Sequence, residues 1–171
     1  MNSPRLAACH DCRALVPDID GPVHPYIGAS AGCWEVWGGV QARAMSSLAL
    51  GAVSPLAVDA YCAQHPGARG RRQAQSVIVH LASICLVQEH ACTPTDGIRA
   101  KQVMLATDPV FDWLTPPADP GALTVLDVAA AGEREVASVV GAWAASVWAA
   151  WSAHHTYLRS VAAETLARMR R

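Results

Sequence analysis

VDAYCAQHPG (residues 58–67), followed after a short basic loop by QAQSVIVHLASICL (residues 73–86), decides the fold. Two helical segments meet at a His65-Pro66-Gly67 stop, because proline cannot continue a helix and glycine readily takes the left-handed conformation beyond its end. The second segment carries Val77, Ile78, Val79, Leu81, Ile84, Leu86 and Val87 and leaves no solvated side. Such a helix belongs in the middle of a bundle. His80 within it is therefore expected to be buried, where an imidazole needs a hydrogen-bond partner, a metal or a ligand.

Working outward, an amphipathic pattern runs from about Cys33 to Leu50, with Trp34, Trp37, Val40, Ala44 and Leu48 at three- and four-residue steps. Gly38 and Gly39 oppose that helix by roughly 1 kcal/mol each relative to alanine. Ser54-Pro55 reads as the start of the next helix, serine capping and proline first. The buried helix extends from about Gln73 to His90, and a shorter one from about Thr95 to Thr107. Residues 109–123 are proline-rich and read as extended loop. Leu123 to Val128 reads either as a short strand or, through Asp127, as the approach to the last helix. From Glu133 to Arg168 the pattern is helical and alanine-rich. Unbroken, it would span about 54 Å, so a kink is expected near Gly141 or Ser152. Trp143, Val147, Trp151, His154 and Leu158 mark its packed face, with His155 and Trp148 one step round.

The expected architecture is a single mainly α domain over 1–171. Residues 1–32 form an irregular cysteine-containing lobe, and 33–171 form a four- or five-helix bundle. An apolar fraction of 52% against 16% charged supports a sizeable core. A net charge of −1 gives no general attraction to nucleic acid or anionic membrane. The arginines at 69, 71 and 72 and at 168, 170 and 171 read as solvated ends. No positive-then-apolar leader opens the sequence, and no window holds about 18 uninterrupted apolar residues. A cytoplasmic protein is the expectation, with its six cysteines as thiols or metal ligands rather than disulfides.

Two constellations carry chemistry. Cys9 and Cys12 form a CxxC turn, and Cys33 follows at the start of a predicted helix. Thiolates so spaced suit tetrahedral zinc or another divalent transition metal, with His10, His24 or His65 as fourth ligand and His24 nearest in sequence. A redox-active CxxC is the alternative use of the pair. The second constellation is His65, His80, and His154 or His155, which could converge on a metal in a bundle pocket, with Asp59 orienting a histidine. His80, Asp59, His154 and His155 are thus the candidate catalytic groups. Cys62, Cys85 and Cys92 read as small buried thiols. The tryptophans read as core residues, or as walls of a ligand pocket between the first and last helices.

CHDC (9–12), GPVHPYIGASAGCW (21–34), VDAYCAQHPG (58–67), QSVIVHL (75–81) and VWAAWSAHH (147–155) together resemble DUF5946, a bacterial family of unknown function. Arg13 departs from that pattern, standing where glycine usually follows the second cysteine. A looser similarity is to the DinB/YfiT-like bundles, which hold a divalent metal with three histidines and include thiol-dependent transferases. It implies the matching positions His65 or His80 with His154 or His155, although the paired HxxxH of those bundles is missing.

Two functions fit. One is a metal-binding helical protein, enzymatic if the metal or the pocket acts on a small molecule. The other is a non-catalytic assembly module, zinc-stapled, whose Trp-rich helix docks a partner or a second copy.

Overall fold

The computed structural model describes residues 5–171. The chain is mainly α, with seven helices and a two-stranded sheet among the described residues. Strands β1 (Leu6–Ala8) and β2 (Leu15–Pro17) pair antiparallel, Ala7 opposite Val16. Leu15 faces out and Val16 is buried, the period-two alternation of a half-covered strand. Three residues per strand is too little to stand alone. The hairpin leans on the bundle, and Cys9, Cys12 and Val16 share one apolar cluster with the helices.

Helix α1 (Ala31–Ala44) starts at Ser30, whose hydroxyl accepts the Cys33 N–H. It can press against β2 because Gly32 has no side chain: a Cβ there would lie 2.0 Å from the Pro17 carbonyl oxygen. The helix read to Leu50 stops at Ala44. Helix α2 (Leu48–Gln64) begins well before Ser54-Pro55, so Pro55 sits inside it. The reason lies far along the chain. Ser47 Oγ accepts from Leu50 N and donates to Glu133 Oε2, while Glu133 Oε1 accepts from Ala49 N. A carboxylate on the free N–H groups of a helix start is doubly favourable, and it outweighs the one hydrogen bond that Pro55 removes.

Helix α3 (Arg71–Glu89) is the buried central element, and α4 (Pro94–Leu105) follows a Thr93–Asp96 capping box. The segment read as strand or helix approach is a separate short helix, α5 (Val125–Ala130), started by a second capping box, Thr124 with Asp127. Arg43 donates to the carbonyls of Val128, Ala129 and Ala131, clamping the negative end of α5 to α1.

The last expected helix divides at Ser152. Helix α6 (Val136–Ala150) and helix α7 (His155–Met169) are joined by a 3-10 turn, Ser152–His154, and bent by 64°. Helix α2 packs on α3 and α6, and α7 on α3 and α4. The tryptophans of α6, Trp143 and Trp148, and Trp151 at its end are buried. They offer no free docking face, which removes the feature on which the assembly reading leaned. No single helix among the described residues is long and apolar enough to cross a membrane.

Candidate functional site

The CHDC turn closes the hairpin. Cys9 N donates to Ala14 O and Arg13 N to Cys9 O. Arg13 takes a positive φ of 61°, the conformation glycine adopts without strain. The turn is tied to the far end of α2, where Asp11 Oδ2 accepts from Gly67 N at 2.7 Å. Gly28 N donates to His65 O, and a Cβ at Gly28 would lie 2.7 Å from the Gly67 Cα. These contacts carry Cys9 and Cys12 to Cys33 on α1 and to His65 at the end of α2.

The ligand atoms of Cys9, Cys12, Cys33 and His65 lie within 4.8 Å of one another, and all four residues are buried. Cys12 Sγ is 3.8 Å from Cys33 Sγ, and Cys33 Sγ is 3.4 Å from His65 Nε2. Tetrahedral zinc with its usual bond lengths requires edges of about 3.8 Å between sulfurs and about 3.5 Å from sulfur to nitrogen. The donor set and its spacing therefore fit a metal ion. His65 Nδ1–H donates to the Tyr61 carbonyl at 2.7 Å, which leaves Nε2 as the nitrogen presented to the sulfurs. The Tyr61 hydroxyl and Ser30 N–H donate to Cys33 Sγ and Cys9 Sγ.

Without a cation the cluster shares charge unevenly. Hydrogen bonds from Cys12 and Cys33 pull the Cys9 thiol far below its ordinary range. Cys12 first and then Cys9 push Cys33 far up. Burial disfavours the charged form of His65, but Cys12 and Cys9 outweigh it and lift the imidazole to about 10. A divalent ion held there would displace these protons and neutralise the thiolates together.

A cavity of about 490 Å³ adjoins this centre. The lobe supplies His24, Tyr26 and Ile27, α1 supplies Trp34, Trp37 and Gln41, and α2 and α3 supply Cys62 and His80. Tyr61 separates it from the cysteines, stacked on Trp37 with ring centroids 4.3 Å apart. His80 Nδ1–H donates to Asp59 Oδ1 at 2.7 Å. Asp59, fully buried, also accepts from Ser83 and Lys101.

A family model described as "Family of unknown function (DUF5946)" matches residues 7–152. The chain belongs to that family. No curated protein and no solved structure matches it.

In this DUF5946 chain the histidines part company. His65 completes the cysteine cluster in place of His24, whose ring instead packs edge-on to Tyr26, centroids 4.3 Å apart, and beside Trp34. His80 belongs to Asp59. His154 Nε2 donates to Thr115 O and His155 Nε2 to Trp148 O, His155 stacking on the Trp148 ring. The three-histidine set of DinB-like bundles does not form among the described residues, because the 3-10 turn at 152–154 takes His154 off the face on which an unbroken helix would have placed it. The aromatic pocket is walled by α1 and the lobe and does not involve the last helix. Cys62, read as a core thiol, lines it. Its available signal was the Asp59-x-x-Cys62 spacing, which puts both groups on one face of a helix. A further grouping, Cys85, Glu89 and His90, is partly exposed, and Glu89 is already bonded to Arg159 and Trp148.

Burial alone would hold His80 neutral, but Cys62 and Asp59 lift it to about 9. Its surroundings are Asp59 and Cys62 on α2, Lys101 on α4, and Arg72 and His24 at the cavity wall. A raised folded-state value means the stabilisation is complete below the ordinary imidazole value of about 6.5 and fades as pH rises through about 9. The thermal midpoint of the protein is expected to fall between about pH 7 and about pH 9.5. In His80→Gln that part of the slope should flatten; an unchanged slope would show that His80 does not titrate in this window.

Proposed function

We propose that Cys9, Cys12, Cys33 and His65 hold one zinc ion, or another divalent transition metal ion, as a closed structural centre. In the same reading the protein acts on a small molecule in the neighbouring cavity. The observation that carries the metal reading is the pair of separations, 3.8 Å between sulfurs and 3.4 Å from sulfur to nitrogen. Four protein ligands leave no position for water or substrate, the mark of a structural rather than a catalytic zinc. When bound, the ion supplies charge neutralisation and a cross-link. The chain's own residues do the rest: the cross-linked lobe holds His24, Tyr26 and Ile27 in place as one wall of the cavity.

Metal analysis of protein purified without chelator tests this. About one equivalent is expected in the parent and a clear loss in Cys33→Ser. Less than about 0.3 equivalents of any transition metal in the parent would remove the proposal.

A further inference from the structure

The cavity brings together a thiol, an imidazole and a carboxylate that the metal centre does not use. Asp59 and Cys62 stand one turn apart on α2, on the face turned to His80 of α3. The Asp59 carboxylate takes the His80 Nδ1–H, so Nε2 is the ring nitrogen left to hold a proton from the thiol. The Cys62 thiol, one turn on from Asp59, lines the same cavity as the His80 ring. Asp59 is itself fixed by Ser83 Oγ and Lys101 Nζ, from α3 and α4. This is the order nucleophile, base, orienting group. The cavity contains one more functional group. Gln41 Nε2 is buried without a hydrogen-bond partner, alone in this among the side chains described, and Gln41 lines the same wall. A buried amide N–H left free at a costly site is a donor awaiting an oxygen. Trp34, Trp37, Val58, Val79 and Leu105 make the remaining surface mainly apolar, and the exposed Arg72 lies at its edge.

We propose that Cys62 is a catalytic nucleophile, with His80 holding its proton and Asp59 as the positioning residue, acting on an ester or thioester of a small apolar or aromatic carboxylic acid. His80 holds the Cys62 proton on Nε2 as an imidazolium–thiolate pair, and the sulfur electron pair bonds to the carbonyl carbon. The carbonyl π pair moves to oxygen, where the Gln41 N–H donates. Collapse of that adduct breaks the bond to the leaving alcohol or thiol, which departs with the proton from His80. A water molecule then gives a proton to His80 and attacks the acyl carbon. The C–S bond breaks, which restores the thiolate beside the His80 imidazolium, and the carboxylic acid leaves. Water is the only co-reactant and no oxidation state changes. The inference rests on the reading of the cavity as the small-molecule site.

p-Nitrophenyl acetate is the probe, used on the full chain with metal content measured on the same sample. One acetyl group per chain is expected on Cys62, ahead of the more exposed Cys92, with a matching burst of p-nitrophenol. Cys62→Ala should lose the burst. His80→Gln should slow acylation of Cys62 about 100-fold at pH 7. The deficit should close near pH 10, above the ordinary thiol value of about 8.5, where hydroxide replaces the base. Asp59→Asn should show the same pH rescue, which a simple loss of packing would not. Acylation of Cys62 no faster than Cys92, or of neither, overturns the proposal, as does a His80→Gln rate equal to the parent's at pH 7. If His80→Gln or Asp59→Asn loses its cooperative melt, the Cys62-against-Cys92 comparison in the parent decides alone. A metal-loaded protein with an inert Cys62 sinks this inference and leaves the metal reading standing. A metal-free one sinks the metal reading whatever Cys62 does.

Discussion

Treatment of the purified protein with a strong chelator is expected to unfold residues 5–30 and leave most of the helical signal in place. The lobe buries only Cys9, Cys12, Ala14, Val16 and Ala29 of its own, and its two strands hold three residues each. Apolar burial on that scale does not offset the backbone entropy of ordering the segment, about 1–2 kcal/mol per residue. A structural zinc site contributes on the order of 10 kcal/mol, and chelation removes that contribution from the lobe. Far-UV circular dichroism should therefore change little. Hydrogen exchange should speed up across 5–30, and Cys9, Cys12 and Cys33 should become reactive to thiol reagents. Trp34 and Trp37 should become more quenchable, since the loop carrying His24, Tyr26 and Ile27 leaves the cavity they share. A melting temperature and exchange pattern unmoved by chelation would mean that the lobe folds without a metal.

Trp143→Ala is the substitution expected to cost most stability in the bundle, about 3–5 kcal/mol. The ring is fully buried in α6, edge-on to Tyr61 at 6.5 Å. Its Nε1–H donates to Gln64 Oε1 at 3.1 Å, and Gln64 Nε2 donates onward to the carbonyls of Pro120 and Leu123. Truncation thus opens a cavity, strands a buried amide oxygen and loosens the proline-rich loop together. Gln64 directly precedes His65, so the loss should also weaken metal retention. Trp143→Phe keeps most of the packing and removes the donor, so it should cost less, about 1–3 kcal/mol. Urea midpoints of the two variants provide the check. A Trp143→Ala loss below about 1 kcal/mol would show that the core closes over the gap.

How far the fold was legible follows from where each decision was made. The all-apolar run around His80 and the His65-Pro66-Gly67 stop are local signals, and α3 and the end of α2 lie where they point. The junction of α1 and α2 was not local, because the cap on Ser47 and Ala49 comes from Glu133. Nothing near Pro55 reveals that partner. For α5 the signal was present, since Thr124 and Asp127 spell a capping box, but a six-residue apolar run suits strand and helix alike.

The cysteine–histidine cluster divides in the same way. Cys9, Cys12 and Cys33 declare themselves by type and spacing, because a thiol pair three positions apart, with a third thiol at a helix start, suits a tetrahedral metal ion. The choice of His65 over the nearer His24 was made by the docking of Gly28 on Gly67 and of Asp11 on the Gly67 N–H. The amino-acid order by itself determined a helical protein with a buried central helix and three cysteines fit for a metal, since apolar periodicity and ligand type act within a few residues. Tertiary structure alone decided the fourth member of the cluster, the separation of the histidines and the placing of Cys62 in one cavity with His80. Those depend on the angles at which distant helices pack, and local patterning does not encode such angles.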